Sequence, residues 1–263
     1  MASVATLVGG ELIKIGRLRP VRALVILAYL VAVPAIGYLV QRTPGFANPG
    51  RTSFAGAISA LQGVFLGGAA PFLLALAAAL VAMEYGHGTV RVLLARGAGR
   101  TRLLLAKLLA LEILGLGLLI AYGAIAAAEY AIAMLVWRVG PVAIVTAPWT
   151  DLGLALGTAT IAMTVAIVVG ATAGVIGRSV ASGLILGFGF FVIDSALLPL
   201  LTHGLSANVS LGVELVTLVG TLRLSAMNGP AGGVIQATAV VAIWLVAMLA
   251  LARSLLARRD VLE

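Results

Sequence analysis

The chain has 263 residues, 62% of them hydrophobic and only 10% charged, with 17 Lys and Arg against 9 Asp and Glu. That balance excludes an ordinary water-soluble domain, which carries far more charge, and it excludes disorder, because disordered segments lack apolar residues. The chain has no cysteine, which excludes disulfides and thiolate metal sites and leaves the redox compartment unreadable. The net charge of +8 is not evidence for nucleic-acid binding, since no basic run is interleaved with aromatics; in so oily a chain the excess belongs to loops facing anionic lipid.

Residues 1–20 read as an amphipathic elbow helix. Val4, Leu7, Val8, Leu12, Ile15 and Leu18 make an apolar stripe, with Gly10, Lys14 and Arg17 opposite. Arg19 and Arg22 follow closely, so this helix is expected to lie on the inner membrane surface. The apolar run 21–40 is longer than the hydrophobic region of a cleaved signal peptide; it is the expected first span, kinked at Pro34. A polar loop over 41–56 leads to a second span, about 57–83, with Pro71 as its expected hinge. The tract 103–136 contains no turn signal and reads as one third span protruding on both sides of the bilayer. Trp137-Arg138 and Pro148-Trp149 then bracket a loop at the far interface, where tryptophan prefers to sit.

The fourth span is expected over 152–177, closed by Arg178-Ser179, and the fifth over 180–201. An external segment, 203–233, is too polar to cross; Leu211, Leu215, Leu218 and Leu222 share one face there and suggest a short interfacial helix. The tripeptide Asn208-Val209-Ser210 is formally a glycosylation sequon of a kind that arises by chance. The sixth span covers 234–256, ahead of Arg258-Arg259-Asp260. With the N-terminus inside, 13 of the 17 basic residues fall on the inner side and only Arg42, Arg51, Arg138 and Arg223 outside. The expected fold is therefore an all-α membrane protein: six transmembrane helices in a single domain over 21–257, preceded by the elbow helix, with both termini cytoplasmic.

Between the second and third spans lies the longest strongly charged interval on the inner side, 84–102. Val90, Leu93, Leu94 and Gly97 follow the i, i+3, i+4, i+7 rule and would give a short helix one apolar face, while His87 and Arg91 lie four apart on another. Gly97-Ala98-Gly99 breaks this helix, and Thr101 is the expected N-cap of the next. Two readings stand side by side: a lever that moves both flanking spans, or a basic loop that only fixes orientation.

This interval resembles the cytoplasmic loop of ABC transporter permeases of the type-2 export family. Glu84, Gly88-Thr89, Leu93-Leu94, Arg100 and Lys107 match the family's Glu, Gly-Thr, Leu-Leu, turn arginine and following lysine; Gly99 stands where a serine often precedes the turn arginine. The resemblance implies a permease subunit driven by a separate ATP-binding cassette chain, in a complex of two permease copies, homo- or heterodimeric, and two ATPase copies. It assigns the coupling role to the matched Glu84, Gly88, Thr89, Leu93, Leu94, Arg100 and Lys107, and the location to a bacterial-type cytoplasmic membrane. Tyr85, Arg91 and Arg96, in the same interval, are expected to share that role, with two partners open for Arg91, Arg96 and Arg100: acidic residues of the ATPase or lipid headgroups.

No phosphate loop, H-E-x-x-H or G-x-S-x-G occurs, and the only histidines are His87 and His203, in different loops. No cofactor is expected on this chain; ATP and Mg²⁺ belong to the partner. Besides the ATPase, the expected partners are the second permease copy and membrane lipids, with no nucleic acid. Asp194 and Glu112 are the pathway candidates, because a charge at mid-bilayer costs at least ~2.5 kcal/mol and usually faces the bundle interior or water. For Glu112 the competing reading is a helix-end residue reaching the interface, and Glu129 is read as interfacial. Gly63/Gly67, Gly153/Gly157, Gly170/Gly174 and Gly183/Gly187 are spaced for close helix packing. A non-transporting immunity or assembly factor, and a secondary transporter, are the alternative functions.

Overall fold

The computed structural model describes residues 4–19, 21–23, 25–26, 30, 70–86, 99–137, 149–193 and 234–258. Among the described residues there is no strand, and the helices are α1 (Val4–Arg17), α2 (Ala70–Gly86), α3 (Arg100–Trp137), α4 (Trp149–Gly177), α5 (Val180–Val192) and α6 (Val234–Arg258). Two stretches, Thr101–Ile125 in α3 and Ala159–Gly177 in α4, are long and apolar enough to cross a membrane. The described parts of α2, α5 and α6 contain shorter apolar helical stretches.

α2, α3 and α4 are apolar on every side, so no amphipathic stripe decides which face packs. In hydrocarbon, lipid tails solvate a leucine as well as protein does. Helix association then rests on close van der Waals fit rather than on transfer from water. Glycine supplies that fit. A Cβ at Gly170 would strike the Leu74 carbonyl oxygen, and one at Gly174 would stand 2.7 Å from the Ala78 carbonyl oxygen, so α4 is pressed backbone to backbone against α2. Gly183 and Gly187 do the same for α5, against Gly174 and the Leu74 side chain. Two of the four small-residue pairs are thus spent inside the chain. Gly153 and Gly157 face open space, and Gly63/Gly67 lies outside the described residues.

α4 and α5 are joined by two residues. Arg178 takes a positive φ of 57° after the last helical residue, and Ser179 caps α5 by accepting from the Ser182 backbone N–H at 3.2 Å. α6 lies against α4 and α5: Phe190 and Trp244 meet edge to face at 5.7 Å, and Thr172 Oγ1 donates to the carbonyls of Val168 and Met248. The central core is built from Leu73, Leu76, Leu111, Tyr122, Met163, Ile167 and Val175, all fully buried. Large apolar side chains such as Ile120, Ile185 and Ile243 remain on the outside, as suits a surface solvated by lipid.

α3 begins one residue before the expected N-cap. The Gly99 carbonyl accepts the first intrahelical bond, from Leu103 N at 3.0 Å, so Gly99 occupies the cap and Thr101 is already helical. α1 packs along α3, with Ile15 buried and Val8, Leu12 and Leu18 against the core, which bears out the apolar stripe. The polar face is redistributed: Lys14 turns toward the bundle and Glu11 is buried.

Candidate functional site

Four charged side chains converge where α1, the end of α2 and the second turn of α3 meet. Glu11 and Lys14 are one helical turn apart on α1. Glu84 stands two residues from the end of α2, and Lys107 follows the start of α3 by seven. The Lys107 ammonium donates to Glu11 Oε2 at 2.9 Å and lies 2.6 Å from Glu84 Oε1. Lys14 Nζ donates to Glu84 Oε1 and stands 3.8 Å from Glu11 Oε2. Each ammonium therefore touches both carboxylates, closing a ring of two positive and two negative groups.

The ring is sealed from solvent except at Lys14. Side-chain exposure is 2% for Glu84, 7% for Lys107 and 11% for Glu11, against 39% for Lys14. Burying one such charge alone is costly; two ammoniums balancing two carboxylates make the burial tolerable. The ring's four ion pairs tie α1, α2 and α3 together at one point.

Of the sequence-expected coupling residues, the structure brings Glu84 and Lys107 into direct contact, although 23 positions separate them. Tyr85 is half-buried beside them, packed against the central core. Arg100 opens α3. Gly88, Thr89, Arg91, Leu93, Leu94 and Arg96 lie outside the described residues, as does Asp194. Glu112, five residues beyond Lys107, is half-buried with the Thr164 side chain of α4 near its carboxyl group, so it faces protein. Thr160 and Thr164 return their hydroxyls to the carbonyls of Leu156 and Thr160.

Sequence reasoning passed over Glu11. The signal was there: Val4, Val8, Ile15 and Leu18 step by four and three with Glu11 filling the gap, so a carboxylate sits in register with an apolar stripe. Such a residue must either be paired or break the helix's docking. Lys14 does not lie opposite the stripe with Gly10 and Arg17 but at its edge, beside Leu7, and its long aliphatic stem lets the ammonium reach inward from there.

No curated protein matches this chain. A family model described as ABC-2 family transporter protein matches residues 7–194, which includes most of α1, all four residues of the charge ring and the 84–102 interval. With more than half its length matched, the chain belongs to the ABC-2 family of transporter proteins, and it is a membrane-embedded permease of an ABC transporter.

Proposed function

We propose that this chain is the six-span permease subunit of an ATP-driven exporter, in which a separate ATP-binding chain pushes on the 84–102 interval. The observation that carries the reading is the meeting of Glu84 and Lys107 at 2.6 Å. The segment between α2 and α3 is closed at its base, so a displacement of that segment reaches both helices together. The complex contains two permease copies and two ATPase copies, ATP and Mg²⁺ are held by the ATPase, and the membrane is the cytoplasmic one.

Geometry supports this placement of the ring. α3 has 38 residues; at ~1.5 Å each it reaches about 57 Å, against a hydrocarbon core of about 30 Å. Centred, it would protrude roughly 13 Å at each end, which sets Lys107 near the inner hydrocarbon boundary and Glu112 some 7 Å deeper. Glu112 is then a bundle-facing group within the membrane, suited to line a route between α3 and α4, and Asp194 is proposed for the same role on the fifth span. The test is affinity purification of the full chain from its native membrane in mild detergent. A soluble chain bearing a phosphate loop should be retained; its absence across several detergents would favour a non-transporting role.

A further inference from the structure

The pair Glu84–Lys107 is neutral by itself and would suffice to close the base of the segment. Glu11 and Lys14 are additional, and stability alone does not explain them, since an apolar residue in the register of Glu11 would dock α1 on α3 as well or better. Charge confers something leucine does not, namely register. Apolar helices can slide or roll past one another at small cost. A slide of α1 by one turn, about 5.4 Å, would carry Glu11 and Lys14 away from Lys107 and Glu84 and leave buried charges unmatched. Just past α1, Arg22 N bonds to the Leu18 carbonyl at 3.1 Å, and Arg22 Nη2 donates to the Arg17 carbonyl at 3.2 Å, which ties this residue back to the end of α1.

We infer that Glu11 and Lys14 are positioning residues of the coupling apparatus: the charge ring makes α1, the end of α2 and the start of α3 one mechanical unit, so that a push on the 84–102 interval reaches the first span as well as the second and third. The inference rests on the coupling reading given above for that interval. α1 is then a third arm of the lever, held in step by charge, rather than a passive float on the membrane surface.

The absence of cysteine permits a direct test by spin labelling the full chain. Nitroxides at Gly10→Cys and Thr101→Cys, both exposed positions, report the α1–α3 distance; a pair at Thr101→Cys and Arg253→Cys, also exposed, reports α3 against α6. In lipid nanodiscs the Gly10–Thr101 distance should be single and narrow. Glu11→Gln should lose that narrow distance, Lys14→Gln, at the most exposed member of the ring, should broaden it less, and Glu11→Asp should largely restore it. In the complex with the ATP-binding chain, ATP with vanadate should shift the Thr101–Arg253 distance and leave Gly10–Thr101 unchanged, whereas in Glu11→Gln both should shift. A narrow Gly10–Thr101 distance that survives in both Glu11→Gln and Lys14→Gln overturns the inference, and so does a nucleotide-driven shift of that distance in the unsubstituted ring. If no ATP-binding chain is retained, the coupling reading fails, while the contrast between Glu11→Gln and Glu11→Asp in nanodiscs still decides whether the ring holds α1.

Discussion

Lys107 engages two carboxylates from two different helices, and its side chain is almost wholly enclosed. Removing one member of such a ring uncovers a charge that has nowhere to go. Lys107→Met or Glu84→Gln should therefore destabilise the protein by about 3–5 kcal/mol, read as a lowered thermal midpoint in detergent. The double variant Glu11→Gln with Lys107→Met should cost clearly less than the sum of the singles, because contacting charges couple. Additive losses would mean that the two residues act independently. Glu84 and Lys107 were legible in the sequence as a motif, but their contact was not, since motif spacing carries no tertiary distance. Glu11 was legible only as a carboxylate out of place in a stripe. Glu112 was not assignable to a face at all, because α3 is apolar all round and periodicity has nothing to report there.

α3, α4 and α6 are helical over the apolar tracts 103–136, 152–177 and 234–256 that the sequence marks. Their mutual packing was encoded only in small residues, and the sequence offered four glycine pairs without saying which were used. The close approach of Gly170 and Gly174 to the α2 backbone makes a strong distinction between them. Gly170→Val or Gly174→Val should overpack the α2–α4 contact and cost at least about 1–3 kcal/mol, seen as loss of the folded monodisperse species in detergent. Gly153→Ala and Gly157→Ala, which meet open space, should leave that species intact. The two-residue turn between α4 and α5 adds a local case. Ser179→Ala removes the cap on α5 and should cost about 0.5–2 kcal/mol in the same assay, since one orphan N–H loses its acceptor.

At the scale of the whole molecule, the proposed topology puts the charge ring and the 84–102 interval on one side of the membrane, together with both termini. Single-cysteine variants at Gly50, Ala143 and Ser206 should label with impermeant reagents in intact cells, while Ala98 and Ala257 should stay unlabelled until the cells are opened. Labelling of Ala98 from outside would invert the orientation and remove the interval from any cytoplasmic ATPase. The account's central claim is that force from ATP hydrolysis enters this chain between α2 and α3, and crosslinking tests it most directly. Cysteines at Val90 and Arg96 should each form a disulfide with a cysteine-bearing ATP-binding chain in the purified complex, and the bond should block nucleotide-stimulated hydrolysis until it is reduced. Failure at both positions, with crosslinks forming instead from α1 or from beside Arg178, would contradict the claim and place the entry point elsewhere.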